Sequence, residues 1–218
     1  MIALHPMLTY ERLEPSASEL NALGSSSIWG SIDGTVRNMC RPTRHQERCY
    51  SGYKKKHGFK YQGIVTPDGM IVSCMGPFEG RLNDVNMFVL TEMKKRFQEL
   101  YQGRTPLFLY RDSPYDSCYR VIAPYKRTCP LPRQQISCNA ALSSDRISVE
   151  QAFGCVTQLW HANNLNTNLK PILQPVALHY EISVLFTNIH ICLRGNVVSH
   201  RYNIPPPSLD EYLSALSK

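Results

Sequence analysis

An unbroken apolar run, Leu107-Phe108-Leu109-Tyr110, opened by Pro106 and closed by Arg111-Asp112, constrains this chain more than any other segment. A strand with one face in water alternates apolar and polar residues. One that is apolar at every position is buried on both faces, sits inside a sheet and pairs in parallel. Helices must then cover both sides of that strand, which points to a layered α/β domain. With 218 residues, 43% of them hydrophobic and 19% charged, the chain has enough apolar surface for one such core and is not disordered as a whole.

The segments around this run fit the same architecture. Ile28 to Asp33 reads as a strand, with Ile28, Gly30 and Ile32 on one face and Trp29, Ser31 and Asp33 on the other. The runs 59–66 and 70–75 flank Pro67-Asp68-Gly69, a hairpin signal in which Pro presets one turn dihedral and Gly accepts a positive one. A helix is expected from the N-cap Asn83 to Gln102, with Gly103 as its terminator. Val121-Ile122-Ala123 reads as a short strand. A helix carrying Glu150 extends to about Trp160, and Pro175 to Leu193 reads as a core helix. Residues 1–27 read as a weakly ordered lead-in without a DNA-reading module, 28–204 as the folded domain, and 205–218 as a proline-rich linker with a short capped helix.

Several function classes are disfavoured. The segment Pro175 to Leu193 holds His179, Glu181, Asn188 and His190, all costly in a bilayer, so no membrane span is expected. The eight cysteines are irregularly spaced and form no C-x-x-C pair, which argues against a zinc site. Met1 to Ser27 lacks the basic start and apolar stretch of an export signal, so reduced, mostly buried thiols are expected. No serine has a nucleophile-elbow context, and His57, His161, His179 and His190 have no metalloenzyme spacing.

Three acids remain. Asp33 and Asp112 end strand-like runs, and Glu150 lies on the later helix, about 100° from the stripe of Val149, Phe153, Val156 and Trp160. Ligands gather beyond strand carboxyl ends in such sheets, where Asp33 and Asp112 fall. Mg²⁺ and Mn²⁺ take hard oxygen ligands, and paired ions stabilise the attacking and leaving oxygens of phosphodiester cleavage. The pattern points to a nuclease using metal-activated water, with Asp33, Asp112 and Glu150 as both catalytic and metal-binding residues.

The charge distribution suits a polyanion. The chain carries a net charge of +7, with eight Lys or Arg residues and the single acid Glu47 between Arg37 and Lys60. Arg37, Arg41, Arg44, Lys54, Lys55, Lys56 and Lys60 are therefore candidate DNA contacts, with Tyr50, Tyr53 and Phe59 interleaved to pack on sugars or bases. A soluble basic face is the plainer alternative. Asp84 falls in the first turn of the helix capped by Asn83, where the helix dipole favours a carboxylate whatever its role.

The motifs Ile32-Asp33-Gly34-Thr35, Tyr50 to Gly58, Gly80-Arg81-Leu82-Asn83-Asp84, Asp112-Ser113-Pro114-Tyr115 and Val149 to Gly154 resemble, in order and spacing, the DDE endonuclease domain of PIF/Harbinger-type transposases and their domesticated relatives. The likeness covers about residues 28–194. It implies an RNase H-like mixed sheet flanked by helices, and a two-metal Mg²⁺ or Mn²⁺ site on Asp33, Asp112 and Glu150. It also implies hydrolytic DNA cleavage, a nuclear location and a separate Myb-like DNA-binding partner. Arg81, inside the third motif, joins the candidate DNA contacts. Arg146, one turn before Glu150, matches the family's Arg before its acid and would touch a phosphate; a surface ion pair with Glu150 explains it equally well.

Four positions depart from the family pattern. Arg111 stands where Gly is usual, Asn83 where His is usual, Cys155 in place of Lys and Ser143 in place of Tyr. None of them is a metal ligand. They leave open an alternative, a remnant that binds DNA or protein without turnover. A metal-dependent phosphatase fits poorly, because Asp33-Gly34-Thr35 lacks the Asp-x-Asp such enzymes use.

Overall fold

The computed structural model describes residues 5–22, 27–105, 107–111, 119–125, 131–164, 169–170 and 173–216. Its centre is a mixed sheet of β1 (Ile28–Asn38), β2 (Tyr50–Ser51), β3 (Lys56–Val65), β4 (Ile71–Glu79), β5 (Phe108–Tyr110) and β6 (Val121–Ile122). The strand order is β4–β3–β1–β5–β6, with β2 paired to the start of β3. β3 lies antiparallel to β1 and β4, while β5 runs parallel to both β1 and β6. The apolar run is thus an internal parallel strand, with Leu109 and Tyr110 buried, and the mixed α/β class with its RNase H-like arrangement is present.

Helices cover both faces. On one side α1 (Tyr10–Ala22), α3 (Asp84–Leu90), α4 (Met93–Tyr101) and α8 (Leu209–Leu216) enclose a cluster that includes Leu13, Trp29, Ile64, Phe88, Phe97 and Leu109. On the other, α5 (Arg133–Leu159) and α6 (Val176–Arg194) pack Val149, Phe153, Val156, Tyr180 and Val184 onto Tyr61, Val65 and Ile71. Two short helices, α2 (Gln46–Cys49) and α7 (Val197–Tyr202), complete the set of α-helices among the described residues. The strict alternation expected for β1 breaks at its start. Trp29 and Ile32 share one cluster, because pairing with β5 shifts between Ile28 and Gly30.

The hairpin turns as its residues dictate. Gly69 takes a φ of 84°, and the Asp68 carboxylate accepts from Met70 N at 3.1 Å and Thr66 Oγ1 at 2.5 Å. Asn83 caps its helix, accepting from Asn86 N at 2.8 Å. The single helix expected from Asn83 to Gln102 is in fact two. Thr91 Oγ1 donates to the Phe88 carbonyl, Glu92 takes a left-handed φ of 51°, and α4 restarts at Met93. The helix bearing Glu150 begins earlier than its apolar stripe suggests, at Arg133.

The N-terminal stretch carries more secondary structure than its composition predicts, and the C-terminal helix forms as expected. Residues 10–22, within the expected lead-in, form α1, which buries Leu13 and Ala17 despite Pro15 and a polar sequence. Ser208 and Glu211 cap α8 reciprocally, and Tyr212 stacks on His5 with centroids 4.4 Å apart. By length and composition α6 could cross a membrane. Here it docks on β4, where the Asn188 side chain accepts from Ile71 N at 3.0 Å and donates to Ile71 O at 2.9 Å. Cys49, Cys74, Cys155 and Cys192 are free thiols.

Candidate active site

Register and one missing side chain bring two of the three acids together. Across the β1/β3 ladder Asp33 sits opposite Gly63. Directly opposed residues in an antiparallel pair project to the same face of the sheet, so Asp33 faces the side on which α5 lies. Gly63 has no side chain there, and the Phe153 ring fills the space, 2.6 Å from where a Cβ would stand. Phe153 is buried and lies one helical turn beyond Glu150, so its seat on the sheet sets the position of Glu150. Glu150 itself is exposed at the edge of the packed stripe.

Asp33 and Glu150 line one open cleft of about 460 Å³, together with Thr35, Arg37, Lys54, Lys56, Gly154 and Thr157. The cleft runs from the exposed end of β1 between α5 and the turn joining β2 to β3. It has an acidic end at Asp33 and Glu150, and a basic side at Arg37, Lys54 and Lys56. Thr35 and Gly154 belong to the motifs around Asp33 and Glu150, whereas Thr157 carries no sequence signal and lines the cleft further along α5.

The Asp33 carboxyl is raised above its ordinary value. Burial is the main cause. The Gly34 N–H, donating to Asp33 Oδ1 at 2.8 Å, and the Arg111 charge oppose the shift, while the charges of Asp84 and Glu150 add to it. An acid pushed up by burial and by two neighbouring acids is one whose ionised form a bound cation would favour. Oxygen donors of this kind on one open cleft fit a hard divalent ion. Among the described residues no group of three His, Cys, Asp or Glu side chains lies close enough to hold a metal, and Asp112 lies outside the described residues.

The sheet's other face carries a different charged cluster. Asp84, in the first turn of α3, presses its carboxylate against Gly34, with Oδ1 2.7 Å from where a Cβ on that residue would stand. Arg111 follows β5, is only 2% exposed, and donates from Nη2 to Asp84 Oδ2 at 2.5 Å. Lys60 joins from β3, with Nζ 3.5 Å from Asp84 Oδ1 and 2.6 Å from the Leu82 carbonyl.

The remaining candidate DNA contacts separate by position. Arg37 donates to Thr35 Oγ1 and lies over the Tyr180 ring, on the wall of the cleft. Lys54 and Lys55 are exposed on the turn between β2 and β3, where Lys55 takes a φ of 55°, and Lys56 is exposed at the start of β3. Arg41 Nε donates to Gln46 Oε1, Arg44 is exposed, and Arg81 Nε donates to Glu79 Oε2 at 2.7 Å. Lys60 turns inward to Asp84 instead of joining the outer face. Arg146 falls within α5, but its side chain lies outside the described residues. Of the interleaved aromatics, Tyr53 is exposed, Tyr50 packs against His57 at 5.2 Å, and Phe59 is half-buried against the core.

The DDE superfamily endonuclease family matches residues 32–185, more than half of the chain, and this span contains Asp33, Asp112 and Glu150. A probable transposase for insertion sequence element IS702 of Microchaete diplosiphon is 27% identical over 108 residues, a stretch covering 46% of this chain and 38% of that relative. The chain thus matches less than half of that relative's length. No solved structure gives a significant match. Because this family matches more than half of its length, the chain belongs to the DDE superfamily endonucleases.

Proposed function

We propose that the cleft between β1 and α5 is the catalytic centre of a divalent-cation-dependent DNA endonuclease of the PIF/Harbinger transposase type. The observation that carries this reading is the shared cleft of Asp33 and Glu150, two acids far apart in sequence, with Arg37, Lys54 and Lys56 along its side. Asp33, Glu150 and Asp112 would hold a pair of Mg²⁺ or Mn²⁺ ions. Bound there, the ions supply Lewis-acid activation of water and offset charge on the leaving oxygen. Lys54, Lys56 and Arg37 bind and orient the phosphate backbone, with Lys55, Arg41, Arg44, Arg81 and Arg146 as outlying contacts. By the same resemblance the protein works in the nucleus, with a Myb-like chain supplying target selection.

One observation favours a second reading, a remnant that binds DNA without cutting it. Arg111, where Gly is usual in the family it resembles, adds a fixed buried charge within electrostatic reach of Asp33. Nicking of supercoiled plasmid in Mn²⁺ separates the two. The endonuclease reading expects nicking by wild type and none by Glu150→Gln. The remnant reading expects salt-sensitive binding and no nicking by either protein.

A further inference from the structure

We infer that Asp84 and Arg111 are positioning residues, an ion pair beneath the sheet that ties the Asp33–Gly34 segment of β1 to the residue after β5 and so holds Asp33 in place for a divalent cation. The inference rests on the cation-dependent reading above.

Residue pairing between β1 and β5 ends at Ser31 opposite Tyr110. Asp33 lies two residues beyond that point on β1, and Arg111 directly follows the last residue of β5. The Arg111 backbone N–H goes the other way, to the Ile122 carbonyl at 2.9 Å. Where the ladder stops, the Asp84 carboxylate fills the place between the strands. One oxygen lies flush against Gly34, the residue after Asp33, and the other accepts from Arg111 at 2.5 Å.

Asp84 is itself fixed from three sides. Asn83 caps its helix, Gln62 Nε2 donates to its main-chain oxygen at 3.2 Å, and Lys60 approaches its carboxylate at 3.5 Å. A buried ion pair is weak evidence for stability as such, since apolar side chains of similar volume often serve as well. What an apolar pair would not supply is a directed contact between β1 at Gly34 and the residue after β5, beyond the last paired residues of the β1/β5 ladder. Gly34 is needed for this, because any side chain at that position would push Asp84 away.

The test is the affinity of the full chain for Mn²⁺, measured by titration calorimetry on wild type, Asp84→Asn, Arg111→Met, the double variant and Arg111→Lys, alongside melting temperatures. Supporting residues around metal ligands typically contribute about 10- to 100-fold in affinity. Each single neutralising variant should raise the Mn²⁺ Kd about tenfold at temperatures where it is fully folded. The double variant should be no worse than the singles, because the pair acts as one unit. Arg111→Lys should recover part of the loss. A lower melting temperature with Kd within twofold of wild type would make the pair merely structural and overturn the inference. If Arg111→Met does not fold, Asp84→Asn and Arg111→Lys carry the comparison. Absence of Mn²⁺ binding by wild type itself would overturn the cation reading, and this inference with it.

Discussion

Phe153 rests on Gly63, at a point where a Cβ would come within 2.6 Å of the ring. Gly63 is the partner of Asp33 in the β1/β3 register, and Phe153 is one turn from Glu150. The contact therefore acts as a gauge: it sets how closely the helix that bears one acid approaches the strand that bears the other. Gly63→Ala should lift α5 from the sheet, costing about 1–3 kcal/mol of stability by overpacking. It should also reduce plasmid nicking more than the melting-temperature loss accounts for. Full nicking activity in a destabilised Gly63→Ala protein would show that the contact does not set the site.

The electrostatics of Asp33 give a prediction with a definite sign. Its folded-state value is raised above the ordinary 3.8, mainly by burial. Well above that folded value the carboxylate is charged in both states, and burial penalises the folded one. Asp33→Asn removes the penalty, so the variant should melt at a higher temperature than wild type at neutral pH without divalent cations. As pH falls through the folded value, wild type takes up its proton and recovers, so the advantage should shrink and vanish below the unfolded value. Thermal melts from neutral to acidic pH check this. A variant less stable than wild type at neutral pH contradicts the assignment.

The core beside β1 carries a buried polar pair. Trp29 Nε1 donates to Tyr101 Oη at 2.8 Å, linking β1 to α4. Tyr101→Phe should cost about 1–3 kcal/mol, the penalty for a buried donor left without its acceptor. Nicking by the folded fraction should be unchanged, because the pair lies away from the cleft. Chemical denaturation gives the first quantity, and activity corrected for folded protein the second.

The basic side of the cleft predicts a salt dependence. If Lys54 and Lys56 each contact a phosphate, log K for duplex DNA falls with log salt by about 0.9 per contact. The double variant Lys54→Ala/Lys56→Ala should flatten the slope by about 2 units. Lys60→Ala should leave the slope unchanged, since Lys60 faces Asp84. Binding measured across a salt series distinguishes the two outcomes.

What the sequence made legible was local. The hairpin at Pro67-Asp68-Gly69, the Asn83 cap, the Ser208 cap and the both-face burial of β5 each depend on a few adjacent residues, and the structure has each of them. The acids were noticeable because each closes an apolar run or borders a helical stripe. What escaped depends on contacts distant in sequence. The break between α3 and α4 needs Thr91 to turn back on Phe88 and Glu92 to adopt a left-handed backbone, neither of which is marked by Gly or Pro. The docking of α1 hides behind Pro15 and a polar composition. The inward turn of Lys60 is set by Asp84 on another element, so counting charges along the chain groups it with the outer face. Gly63 looks like an ordinary small residue in a strand until Phe153 is placed on it.

The central claim is that Asp33 and Glu150 share a divalent cation. The most direct measurement replaces Mg²⁺ with Fe²⁺ in the presence of ascorbate and peroxide and maps where the polypeptide backbone is cut by locally formed hydroxyl radicals. This account predicts cuts near residues 33 and 150, both suppressed by excess Mg²⁺ and both lost in Asp33→Asn. Cuts at only one of these positions, or a pattern that excess Mg²⁺ leaves unaltered, would contradict it.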